Sequence, residues 1–200
     1  MAAMGKGELT RQAILERAVG LASQVGLDGV TIGRLADELD LSKSGLFAHF
    51  QSKQTLQVQT LDLAAQRFVE LVISPALKAP RGEPRVRALF ERWQRWPKLF
   101  PQPGGCIFVA ASVELDDRPG PARDRLVELQ RSLLDALATA ARAAITEGHF
   151  RADLDVEQFV FEEYSLMLMC YYATRLLHDS KAATRTRTGF EALIARAHPG

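Results

Sequence analysis

The chain has 200 residues, enough for one domain or two small ones around a buried core. With 47% hydrophobic and 24% charged residues it has an ordinary soluble composition, and a net charge of +1 excludes a whole-chain basic footprint for nucleic acid. Any basic patch must be local. Two cysteines far apart, Cys106 and Cys170, without CxxC spacing, argue against a disulfide scaffold or a zinc site.

The elements follow in chain order. Apolar residues Ile14, Ala18, Leu21, Ala22 and Val25 recur at steps of three or four, which predicts an amphipathic helix from about Glu8 to Val25. Gly26 stands where a left-handed cap would end it, and Asp28-Gly29 is a turn signal. Thr31 caps a second helix whose inner face is Leu35, Ala36 and Leu39. Asp40-Leu41 makes a turn, and Ser42 caps a third helix that points Leu46 and Phe50 inward. Ser52 starts a fourth helix with Lys53 in its first turn, running to about Ile73.

Pro75, Pro80, Gly82 and Pro84 mark a loop and a domain boundary. A fifth helix is expected over 84–96 and a short sixth from Cys106 to about Leu115. A long seventh runs from Pro121 to about Glu147. Asp155 with Gln158 forms a capping-box pattern for an eighth, to about His178, and a last helix covers Ala182 to about Ala197. No segment alternates as a strand would, so the chain reads as all-α with about nine helices. Its expected domains are 1–53 (the first three helices), 54–83 (connecting helix and loop) and 84–200 (the remaining helices).

Residues 31–53 carry the chemistry. Two short helices broken by a tight turn can present one helix to the DNA major groove. From Ser42 to Lys53 there is no acidic residue, and Lys43 and Lys53 are positive. The helix starts at Thr31, Ser42 and Ser52 supply oriented N–H groups for phosphate oxygens. Glycine inside a helix costs about 1 kcal/mol relative to alanine, so Gly45 needs a reason; close approach to the groove is one. A solvated first turn is the plain alternative for Ser42 to Gly45.

The stretch 41–56, Leu-Ser-Lys-Ser-Gly-Leu-Phe-Ala-His-Phe-Gln-Ser-Lys-Gln-Thr-Leu, resembles the recognition-helix signature of the TetR family of bacterial transcriptional regulators. The resemblance covers roughly residues 9–60 and beyond that is one of architecture. It implies an all-α homodimer, a repressor released from a palindromic operator by a small molecule. It implies DNA contacts from Thr31, Arg34, Ser42, Lys43, Ser44, Gly45, Phe47, His49 and Lys53. Phe47 stands where the family usually has tyrosine, so a phosphate bond is lost there. Gly33 departs from the longer polar residue common at its position, for which Arg34 either compensates or stands simply as an exposed helix residue.

Ligand-pocket candidates are Trp93, Trp96, Phe100, Cys106, Phe108, Phe161, Tyr164, Met167 and Tyr171, residue types that line small-molecule sites but also ordinary cores. Cys106 at a helix start could be a reactive thiol, or a small buried residue behind two glycines. The eighth helix is apolar around much of its circumference, which asks for a partner. Dimer-interface candidates are Leu166, Met169, Cys170, Ala173, Phe190, Leu193 and Ile194.

No cofactor or metal is expected; the effector is an unknown small molecule. No membrane span is expected either, because Glu162, Glu163 and Arg175 interrupt the most apolar stretch. The first residues lack the apolar core of a secretory leader, so a cytoplasmic protein is expected. An enzyme is not expected: the chain offers no nucleophile–base pair, carboxylate dyad or phosphate-cradling glycine loop. A DNA-binding regulator without a small-molecule effector remains the alternative.

Overall fold

The structure, a computed structural model, describes residues 6–99 and 104–200. Nine helices and no strand are found among the described residues. They are α1 (Lys6–Val25), α2 (Ile32–Leu39), α3 (Lys43–Phe50) and α4 (Lys53–Phe68). Then come α5 (Glu83–Arg95), α6 (Ile107–Leu115), α7 (Pro121–Thr146), α8 (Val156–Arg175) and α9 (Ala182–Ala197). A 3-10 turn, Trp96–Lys98, follows α5.

The end of α4 departs from expectation. The helix does not stop near Ile73 but widens into a π-helical turn over Val69–Ile73 and closes with Ser74–Ala76. Pro75 lacks an N–H and would break a regular α-helix interior. It is tolerated here at the start of a short new turn, where no donor is required, and the widened turn before it absorbs the change of register.

The described residues fall into two compact units, 6–67 with 104–129, and 68–99 with 130–200. Helices α4 and α7 each contribute to both. This differs from the expected boundaries at 53/54 and 83/84. Packing explains the difference: Ile107, Ala111, Leu115 and Leu126 share one buried core with Ile14, Leu35, Leu46 and Phe50. Sequence punctuation by proline marks where the chain turns, not which core a helix joins.

In the first unit the end of α1 is clasped at two glycines. Gly26 takes φ +82°, and its N–H donates to the Ala22 carbonyl at 3.0 Å. A Cβ there would also collide with the Glu114 carboxylate, whose Oε2 accepts the Asp28 N–H at 2.9 Å. At Gly104 a Cβ would run into Ser23, while the Gly105 N–H donates to the Ser23 carbonyl at 2.8 Å. Cys106, next in the chain, is 4% exposed. Burial supports the packing role for this thiol over an accessible sensor.

The second unit is held by aromatic pairs. Phe90 of α5 stacks on Phe190 of α9 at 3.7 Å between ring centres, and Phe68 meets Trp96 edge-on at 5.1 Å. Arg87 bridges Glu83 and Glu191, each at 2.7 Å.

Gly26→Ala is expected to destabilise the chain by about 1–2 kcal/mol from the left-handed backbone alone, because an L side chain meets its own carbonyl there. Displacing Glu114 adds to that. Urea unfolding of the two proteins measures the loss.

Candidate functional site

The helix-turn-helix forms as the residues require. Thr31 Oγ1 accepts the Arg34 N–H at 3.1 Å and starts α2. Asp40 takes φ 55° and turns the chain, and Ser42 Oγ accepts the Gly45 N–H at 3.1 Å to start α3. Ser52 Oγ accepts the Thr55 N–H at 3.0 Å at the start of α4. The hydroxyl in each cap satisfies one of the first helical N–H groups and leaves others for an anion.

Leu46 and Phe50 are fully buried, which fixes the rotation of α3. Its other side, Lys43, Ser44, Gly45, Phe47 and Ala48, is exposed. Phe47 is 56% exposed, a large apolar side chain left in water on a helix of only eight residues. Lys43 makes no ion pair among the described residues. Its stem passes Gly33, where a Cβ would stand 3.7 Å from Lys43 Cε. A longer residue at position 33 would share that space. Gly45 has a reason within the chain: a Cβ would press on the capping Ser42 hydroxyl at 3.0 Å. His49 is half-buried in the last turn, with its ring 6.2 Å from that of Phe50.

Two predicted contact residues are engaged within the chain. Arg34 Nε lies 3.3 Å from Glu38, whose other oxygen takes Arg17 Nε at 2.6 Å. Lys53 Nζ donates to Asp28 at 2.5 Å, and Arg118 reaches the other Asp28 oxygen at 3.3 Å. The hydrogen bond and charge of Lys53 hold the Asp28 carboxyl below its ordinary value of 3.8. The family resemblance implies a DNA contact for Lys53 and gives no hint of Asp28 as its partner. The only available signal was an acid in the turn before the head's second helix.

The pocket candidates are divided between the two units. Cys106 and Phe108 belong to the first unit, where Phe108 packs on the core. Trp93, Trp96, Tyr164, Met167 and Tyr171 belong to the second. Trp96 is fully buried; the Trp93 and Tyr164 rings lie 5.3 Å apart, and Tyr164 Oη donates to Gln130 at 3.0 Å. Phe161 on α8 is 67% exposed. Phe100 lies outside the described residues.

Helix α8 has two apolar faces. Phe159, Val160, Met167 and Ala173 are buried within the chain. Phe161, Leu168, Met169 and Tyr172, at i, i+7, i+8 and i+11, form an exposed stripe. Of the dimer candidates, Met169 is on that stripe. Leu166 packs against Gly189 of α9, and Cys170 is half-buried. Ala173, Phe190, Leu193 and Ile194 are already buried by their own chain and have no surface to offer. Periodicity alone did not say which of two apolar faces the chain's own helices would take.

Glu163 sits in the middle of the buried face, 1% exposed, with no partner for Oε1. Burial pushes its carboxyl up to about 8. Among the described residues no group of three or more His, Cys, Asp or Glu could hold a metal ion, and no helix is long and apolar enough to cross a membrane.

Comparison with known proteins agrees with this arrangement. The family model described as "Bacterial regulatory proteins, tetR family" matches residues 14–59, and "Tetracyclin repressor-like, C-terminal domain" matches residues 82–190. The chain belongs to the TetR family. It is therefore a DNA-binding transcriptional regulator, and the family is one of regulators, not enzymes.

The tetracycline repressor protein class C of Escherichia coli is 31% identical over 84 residues, 42% of this chain. The chain spans 36% of that relative's length. A TetR-family regulator from Cytophaga hutchinsonii superposes with a TM-score of 0.86 at 20% identity, covering all of both chains. One from Chloroflexus aurantiacus gives 0.82 at 23% identity over 96% of each. AibR, solved with isovaleryl coenzyme A and operator DNA, gives 0.69 at 22% identity over 89% of this chain and 96% of its own. At these identities the structures attest the TetR fold alone.

Asp28→Asn is expected to release Lys53. Affinity for duplex DNA should then rise, and the dependence of log K on log salt should steepen by up to about one phosphate contact. Anisotropy titrations between low and moderate salt check it. The variant also bears on stability. The Lys53–Asp28 contribution is fully present above the ordinary carboxylate value and is lost as pH falls through the depressed folded one. Acid unfolding should show that loss in the parent and not in Asp28→Asn.

Glu163 gives a prediction of opposite sign. Its raised folded pKa costs nothing below its ordinary value of 4.5, and the cost grows as pH rises towards about 8. Glu163→Gln should therefore gain stability over the parent progressively from pH 5 to pH 8, read by urea unfolding at each pH.

Proposed function

We propose that the protein is a repressor that holds a palindromic operator as a homodimer and lets go when a small-molecule effector binds. The observation that carries the DNA half is the exposed, acid-free side of α3, framed by the hydroxyl caps at Ser42 and Ser52. In a two-fold dimer the two α3 helices would enter successive major grooves about 34–36 Å apart. Lys43 and Ser44 read bases or the adjoining backbone, and Phe47 makes apolar contact, for example with a thymine methyl. Thr31 and Ser42 direct backbone N–H groups at phosphates, with Gly45 allowing close approach. His49 and Arg34 lie toward the sugar-phosphate rim, Arg34 after leaving Glu38. Such a protein works in the cytoplasm, where the DNA is.

The exposed α8 stripe supports the dimer. An apolar row of this length is unfavourable in water, and a self-complementary two-fold contact would cover it. Effector control is supported by the family and by AibR, whose structure holds both an acyl-coenzyme A and operator DNA.

Selection of bound duplexes from a random pool is expected to enrich a palindrome, and a small-molecule screen then to find a compound that releases it. Lys43→Ala and Ser44→Ala should change the enriched sequence, whereas Lys53→Ala should weaken all sequences alike. Failure to enrich any duplex at moderate salt would overturn the reading. Phe161→Glu with Met169→Glu should turn a dimeric mass into a monomeric one by light scattering, at unchanged helix content.

A further inference from the structure

The second unit holds a cavity of about 300 Å3 between the end of α4, α5 and the C-terminal half of α7. Its apolar wall includes Ile73, Leu77 and Leu89, and its polar wall carries Arg81, Arg85 and Arg142. No acidic residue lines it.

The three cations are unequally engaged. Arg81 pairs with Glu147 at 3.2 Å. Arg85 has no carboxylate: its Nη2 donates to the Ala79 carbonyl at 3.1 Å, and its Nε is shielded from water without an acceptor. Arg142 is exposed and makes no ion pair among the described residues. Guanidinium groups collected around one hollow repel each other, and a shielded donor without an acceptor costs free energy. An anion in the hollow would relieve the repulsion and give the outer Arg85 and Arg142 donors an acceptor. Aliphatic side chains beside it would favour an apolar tail on that anion.

We propose that this groove is a binding site for a small organic anion: a carboxylate or phosphate monoester carried on a short aliphatic chain. The forked donors of Arg85 and Arg142 take the oxygen pair of the head, the geometry in which arginine binds oxyanions best. The tail lies on Ile73, Leu77 and Leu89 and displaces water from them. The volume is at the small end of ligand sites, which selects compact molecules. The site stands on its own geometry and not on the regulatory reading above, so it is tested by direct binding without DNA.

The experiment is calorimetric titration of the full chain with hexanoate and hexyl phosphate, against hexan-1-ol, hexylamine and acetate as probes of head charge and tail. At least one six-carbon anion is expected to bind about tenfold or more tighter than the alcohol, the amine and acetate; which anion wins identifies the head. Arg142→Glu should erase the margin over the alcohol. Thr139→Trp, a plug placed from an exposed position in the lining, should abolish anion binding at unchanged unfolding midpoint. The proposal is overturned if neither anion outbinds hexan-1-ol, if acetate binds as well as the six-carbon anions, or if both variants bind the anions as the parent does.

Discussion

The burial of Leu46 and Phe50 is the constraint on which the head depends. An eight-residue helix has almost no stability of its own in water. It exists because two side chains one turn apart are inserted in a core shared with α1, α2, α4, α6 and α7. The same insertion decides which residues face out. Everything the protein can say to DNA through α3 is therefore set by hydrophobic packing behind it, and a change that loosened that core would blur the reading surface before it unfolded the chain.

Much of this was legible in the amino-acid order. Hydroxyl residues at Thr31, Ser42 and Ser52 announced three helix starts because an N-cap is a local interaction between near neighbours, and Gly26 announced a stop for the same reason. The ion pair of Lys53 is not legible because its partner, Asp28, is twenty-five positions away and nothing local joins them. The grouping of α6 with the head was equally hidden. Its residues are apolar, and apolarity says that a side chain will be buried but not against what.

Helix α8 teaches the same lesson. Its sequence is apolar on two sides, and only tertiary structure shows α9 covering one of them, so that Phe190, Leu193 and Ile194 are spent internally while Phe161 and Tyr172 are left outside. In the sequence Glu163 shows only as one of three charged residues, with Glu162 and Arg175, that interrupt the most apolar stretch. Placed one turn from both Phe159 and Met167, it shares their buried face. An isolated carboxyl there is kept neutral by its surroundings, since nothing nearby compensates a charge.

The widened turn in α4 has a further consequence. A π-turn holds one residue more than the regular spiral needs, and every residue beyond it is rotated by roughly 100° relative to an unbroken rod. Ile73 ends that turn and Leu77 follows it. Excision of a single amino acid between Val69 and Ile73 would let the rod wind evenly. It would leave the far end where it is, with Leu77 still on the wall it now forms, because the widened turn already absorbs the extra residue. Homologous chains one residue shorter at this point would thus keep both an even spiral and the hollow.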